Sequence, residues 1–117
     1  MSLVHYKNVP LSDVRRHVQN LEEFSSSTGS LFSVIYTKGA PNHKRYVVLS
    51  YGSHWPLFVY HYGTDRWFES SDKYSVTTSK HRNKAHPHCE TTLLSREEMV
   101  ILADRGLTAL TEAKMGV

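Results

Sequence analysis

The sequence predicts an α+β domain: a single antiparallel, curled sheet of about five strands, with an N-terminal helix and one or two C-terminal helices. Three observations predict it. Apolar residues near the start recur with a helical period, at Val14, Val18 and Leu21. From residue 30 to 79 the pattern changes to short runs rich in β-branched and aromatic residues, separated by turn-forming clusters. After Ser95 a helix-start signal appears. Strands joined by short turns pair antiparallel, because parallel neighbours need long crossovers. The sheet must bury at least one face, and only the helices can cover it.

The first helix is expected over residues 12–24. Ser12 can cap it, Asp13 suits the first turn, and Pro10 stops helix upstream. Phe24 extends the apolar stripe, while Arg15, Arg16, Gln19, Glu22 and Glu23 are expected to face water. The SSSTG run at 25–29 breaks the helix. Strands are then expected at 30–37, 45–51, 56–62, 66–69 and 73–79, with a Gly- and Pro-containing loop at 38–44 and turns at 52–55, 63–65 and 70–72. Segment 80–91 has no clear period and reads as an extended arm or loop. Ser95 and Glu98 form a capping box, Met99, Val100, Leu102 and Ala103 give the next helix an apolar face, and Gly106 suits its end. A short last helix is expected over 107–115.

The 117 residues read as one domain, 1–117. A chain of this size buries roughly two-thirds of its unfolded surface, enough for a core without staples. Seven Tyr, four Phe and two Trp supply bulky packing material, which argues against disorder. The single cysteine, Cys89, excludes an internal disulfide framework and fits a reducing compartment. No secretory signal pattern and no apolar run near the roughly 18 residues of a membrane span is present. A soluble cytoplasmic protein without membrane association is expected.

Charge is unevenly placed. From Lys73 to Cys89 there is no acidic residue, and Lys73, Lys80, Arg82 and Lys84 contribute +4 there; the whole chain is +3, so the remainder sums to −1. A local cationic patch binds anions, whereas dispersed charge mainly aids solubility. In an extended arm Lys80, Arg82 and Lys84 would point to one side, and His81 lies among them. Lys44, Arg45 and His43 add cations from the earlier hairpin loop. Ser75, Thr77 and Ser79 alternate on one face of the expected strand 73–79, with Thr78 on the other. Hydroxyls and cations together suit phosphate oxygens, and exposed aromatic rings nearby could stack on bases. Thr77, Thr78, Ser79, Lys80, His81, Arg82, Lys84, Lys44 and Arg45 are therefore the candidate ligand-binding residues. The bland alternative is a solvated loop with a chance excess of Lys and Arg, since no RNP or helix-turn-helix signature accompanies the patch.

His81, His86, His88 and Cys89 offer zinc-type ligands, but their spacing matches no standard structural zinc motif, and no metal site is assigned. GxSxG, GxxxxGK[ST], HExxH and GxGxxG are all missing, so no catalytic residue and no cofactor are assigned. Cys89 beside His88 is a poor basis for a nucleophile–base pair, which folds assemble from distant residues. Phe58, Tyr60 and Tyr62 share one face of the strand 56–62, and Leu57, Val59 and His61 the other. An aromatic face left open would be an interface, of a homo-oligomer or with another protein; otherwise both faces are core.

Ser50 and Tyr51, the LFVY run at 57–60, Trp67 and the YSVTTSKH run at 74–81 follow a pattern. The chain resembles a family of small uncharacterised phage and prophage proteins, in which a strand ending in Ser-Tyr, a short apolar strand and a Trp precede Tyr-Ser-x-Thr-Thr-Ser-Lys-His. The likeness covers about a third of the chain. The step after Ser-Tyr departs from the family's Thr-Pro-Ile, with GSHWPL at 52–57 and only Pro56 in common. The resemblance implies a viral origin, a place in the host cytoplasm and an accessory role. It transfers no catalytic residue. It leaves three expectations: binding to nucleic acid or another phosphorylated ligand through segment 73–88, inhibition of a host defence or metabolic complex by protein contact, or binding of a small nucleotide signal.

Overall fold

Val14 and Val18, one helical turn apart, are fully buried and fix α1 (Leu11–Gln19) against the sheet. The computed structural model describes residues 5–37, 44–50, 56–71 and 76–114, the side chains of 76–79 and 112–114 excepted. The loop expected at 38–44, Lys44 apart, and the turn expected at 52–55 lie outside them.

Helix α1 begins earlier than the sequence suggested, with Pro10 at the cap position and Ser12 inside the first turn. It also ends earlier. Leu21 takes a left-handed conformation, φ 55°. Its N–H bonds to the Val18 carbonyl at 3.0 Å and the Glu22 N–H to the His17 carbonyl at 2.9 Å. This is a Schellman ending with leucine where glycine is usual. The chain therefore turns back at Leu21, and Phe24 belongs to a strand.

The strands are β1 (His5–Val9), β2 (Glu23–Ser26), β3 (Leu31–Tyr36), β4 (Arg45–Ser50), β5 (Pro56–His61), β6 (Arg66–Ser70) and β7 (Thr92–Leu94). They form one seven-stranded sheet whose order follows the chain. The expected five-stranded antiparallel sheet is thus corrected: β2 to β6 are an antiparallel meander, but β1 pairs parallel with β2 and β7 parallel with β6. Both edge strands were missed because neither has an alternating apolar pattern; four of the five β1 residues are exposed, and β7 is three residues long. The segment expected as a fifth strand, 73–79, is also corrected. Residues Val76–Ala85 form helix α2, and 72–75 lie outside the described residues.

Each parallel pair encloses a helix, α1 at one edge and α2 at the other. Both units step across the sheet in the same direction from strands of the same polarity. Crossovers of one hand then place both helices on one face, and α1 does pack against α2. That face is filled by Val14, Val18, Phe24, Leu31, Tyr46, Val48, Phe58 and Ala85. The other face carries Val47, Leu49, Val59, Phe68 and Leu94 under Met99, Leu102 and Ala103 of α3 (Arg96–Arg105) and Leu110 of α4 (Leu107–Lys114). Sheet between two helical layers explains why all six β4 residues are buried. A register shift between Val48 and Leu49 brings Leu57 into the same cluster as Phe58, against simple alternation.

The capping box at α3 is present in both directions: Ser95 Oγ accepts from the Glu98 N–H at 3.2 Å, and Glu98 Oε1 accepts from the Ser95 N–H at 2.9 Å. Gly106, φ 92°, ends the helix.

Candidate functional site

Helix α2 carries most of the sequence-predicted residues, and its geometry redistributes them. Lys80 and Lys84 lie one turn apart and are exposed; among the described residues neither meets a carboxylate. Arg82, which an extended arm would have aligned with them, turns inward. Its Nη1 donates to the Ser70 carbonyl at 3.2 Å and its Nε lies 3.8 Å from Glu69 Oε2. His81 is 4 % exposed and its Nδ1 lies 2.9 Å from Ser50 Oγ, itself fully buried. Desolvation holds the His81 pKa below the ordinary histidine value, and Lys80 adds to the effect. Thr77, Thr78 and Ser79 occupy the start of the helix; their side chains, with Lys73 and Ser75, lie outside the described residues.

The hairpin cations separate. Lys44 is exposed, with Nζ 4.5 Å over the Tyr62 ring. Arg45 points to the opposite face of the sheet. It is 3 % exposed, donates from Nε to the Ala103 carbonyl at 2.7 Å and lies over the Tyr36 ring. Burial lowers its pKa, opposed by Tyr36 and Asp104. His43 lies outside the described residues.

Polar bonds hold the C-terminal end of α2. Arg15 of α1 donates from Nη2 to the Asn83 carbonyl at 2.6 Å and from Nε to the His86 carbonyl at 2.7 Å. Gln19, one turn further, donates to the Pro87 carbonyl at 2.9 Å. A cation and an amide thereby satisfy carbonyls that a helix end leaves unpaired. Arg15 and Gln19, expected to face water, form this clamp instead.

Glu69 sits beneath the same end. It is 8 % exposed, its Oε1 accepts from Thr91 Oγ1 at 2.7 Å and lies 3.2 Å from His86 Nε2. His86 Nδ1 accepts the His88 N–H at 3.0 Å, which puts the ring proton on Nε2, facing Glu69. The His86 ring stands edge-on to Phe58, centroids 5.4 Å apart. His88 is exposed at φ 57°, and Cys89 is exposed, its thiol raised above the ordinary value by what desolvation it has. His81 and His86 therefore serve different anchors, Ser50 and Glu69. Among the described residues no group of three or more His, Cys, Asp or Glu side chains is placed to hold a metal ion.

Beyond this cluster lies a groove that the sequence pattern did not reveal, of about 560 Å³. Tyr60 and Trp67, opposite each other on β5 and β6, line it with ring centroids 5.2 Å apart. Asp65 contributes from the turn and Arg66 from the start of β6, and residues 89–92, leaving α2 for β7, form a wall. The Tyr60 hydroxyl donates to the Asp65 carboxylate, and this bond, with burial, pushes its pKa up to about 12. The available signal was the cross-strand placement of Tyr60 and Trp67. Their wall comes from residues more than twenty positions later, which spacing alone does not bring near.

Among the described residues no helix is long and apolar enough to cross a membrane. The chain matches no family model, and no curated protein or solved structure is similar to it.

Proposed function

We propose that this chain is a small phage accessory protein that acts by binding a phosphorylated ligand, nucleic acid foremost, along α2 and the segment leaving it. The observation that carries the reading is the pair Lys80 and Lys84: exposed, one turn apart, and without a carboxylate partner among the described residues. They lie in a segment of the sequence that has no acidic residue from 73 to 89. Arg82 and His86 are engaged by Glu69, so the helix keeps its position while its two lysines face outward. Such a surface favours phosphates by charge. The phage origin and a place in the host cytoplasm rest on the YSVTTSKH resemblance.

Filter binding of labelled single- and double-stranded nucleic acid across a salt series tests it. Association that weakens steeply as salt rises supports the reading; no salt-sensitive association overturns it.

One observation favours a second reading, inhibition of a host complex by protein contact. Leu93, on edge strand β7, is 63 % exposed. An exposed edge strand can pair with a partner's strand. Recovery of one host protein by nuclease-treated affinity purification, lost on Leu93→Lys, would favour this reading over the first.

A further inference from the structure

We propose that the groove between the Tyr60–Trp67 pair and residues 89–92 holds an unpaired base of a single-stranded nucleic acid whose phosphates lie along Lys80 and Lys84; this rests on the reading above and specifies its ligand. The groove volume of about 560 Å³ is within the roughly 300–1,000 Å³ typical of small-ligand sites. Tyr60 and Trp67 are half-buried, so each is held by the fold and still presents ring surface to the groove. Base stacking on such rings tolerates any sequence.

The polar groups complement a base as well. Glu90 is exposed, lines the groove and has no hydrogen-bond or ion-pair partner among the described residues. A carboxylate accepts from the amino groups of cytosine, adenine or guanine, whereas it repels phosphate. Arg66 adds donors on the same rim. The groove, with the Glu90 carboxylate and the Arg66 donors on its rim, and the cationic helix thus divide a nucleotide's two chemistries between them. They also lie within reach of one short strand: five residues of chain separate Lys84 near the end of α2 from Cys89 on the groove wall, a span of at most about 18 Å. A base stacked and paired inside a duplex cannot enter such a concavity, so single strands are preferred.

Cys89, the single cysteine and a lining residue, is the reporter. Its rate of modification by an aromatic disulfide reagent is measured on the full chain at one fixed alkaline pH, because burial raises the thiol and lowers the thiolate fraction that reacts. An oligonucleotide of about eight residues, in the range of single-strand site sizes, is added as DNA, as RNA or as duplex, with binding followed in parallel by filter retention. Single strands at saturation are expected to slow modification at least about fivefold, and the duplex to leave it unchanged. In a Trp55→Phe background, Trp67 fluorescence is expected to be quenched by single strands alone. Glu90→Gln, on an exposed side chain, is expected to weaken single-strand binding and leave duplex binding as it was.

The outcomes separate. Salt-sensitive binding with neither Cys89 protection nor Trp67 quenching overturns the groove and leaves the cationic surface standing. Equal protection by duplex also overturns the groove. No binding in any arm overturns the underlying reading, and the groove with it.

Discussion

Ser50 Oγ and His81 Nδ1 lie 2.9 Å apart, both buried, across 31 positions of sequence. The bond joins the end of β4 to the middle of α2. It also joins the two ends of the motif pattern, the serine of the Ser-Tyr step and the histidine of YSVTTSKH. Serine and histidine at those places would then be anchors, which hold the cationic helix on the sheet.

Removing the serine hydroxyl leaves the imidazole nitrogen buried without this partner. Ser50→Ala is expected to lower stability by about 1–3 kcal/mol, read by denaturant unfolding. Acid should weaken the same anchor. His81 has a folded pKa below its unfolded value, so the unfolded chain binds the proton first. Its contribution is present above the unfolded histidine pKa and declines as pH falls below it toward the folded value. His81→Asn should flatten that part of the pH–stability curve.

Arg15→Ala should expose the end of α2. The change removes two charge-assisted bonds and is expected to cost about 1–3 kcal/mol. Hydrogen exchange should accelerate in residues 83–88. Arg15→Lys should recover little, because one ammonium does not span two carbonyls as a guanidinium does.

Glu69→Ala should disturb the segment after α2. It strands the Thr91 hydroxyl and the His86 Nε2–H, at an expected cost of about 2 kcal/mol. Nitrogen-15 NMR of the histidine side chains should show the Nε2–H tautomer for the neutral His86 ring in the parent protein. A proton on Nδ1 would contradict the bond from His88.

Lys80→Ala with Lys84→Ala should act on the ligand and not on the fold. Surface changes of this kind usually fall within about 0.5 kcal/mol. The logarithmic salt slope for single-strand binding should become shallower by about 1.4, since each phosphate that a lysine neutralises on a single strand adds roughly 0.7 to it.

Elements that bury an apolar stripe were legible in the sequence: the body of α1, the strands β3 to β6, and α3 with its capping box. Helix α2 was not. Val76, Thr77 and Thr78 are β-branched and favour strands by local preference. Tertiary contacts override that preference, and they are mostly polar. Among its described residues only His81 and Ala85 are buried, and Ser50, Glu69, the Ser70 carbonyl and Arg15 supply the attachment. Hydrogen bonds leave no apolar period to read. The end of α1 was hidden for another reason: Leu21 does there what glycine usually does, so the stop signal was absent. The basic residues of the site were visible, but their grouping depended on the conformation assigned. Once 76–85 is helical, Lys80 and Lys84 stay together and Arg82 leaves them.

The clamp between Arg15 and the end of α2 also orders events in time. Arg15 is synthesised long before its acceptors at Asn83 and His86, 68 and 71 positions later. A growing chain can close the hairpins β3 to β6 as they emerge, but the α1–α2 layer must wait until residue 86 of the 117 has been made. Until then the buried faces of Val14, Val18 and Phe24 lack their final cover. The nascent protein is therefore most exposed to proteases and to mispairing on the side of the sheet that will later carry the lysines.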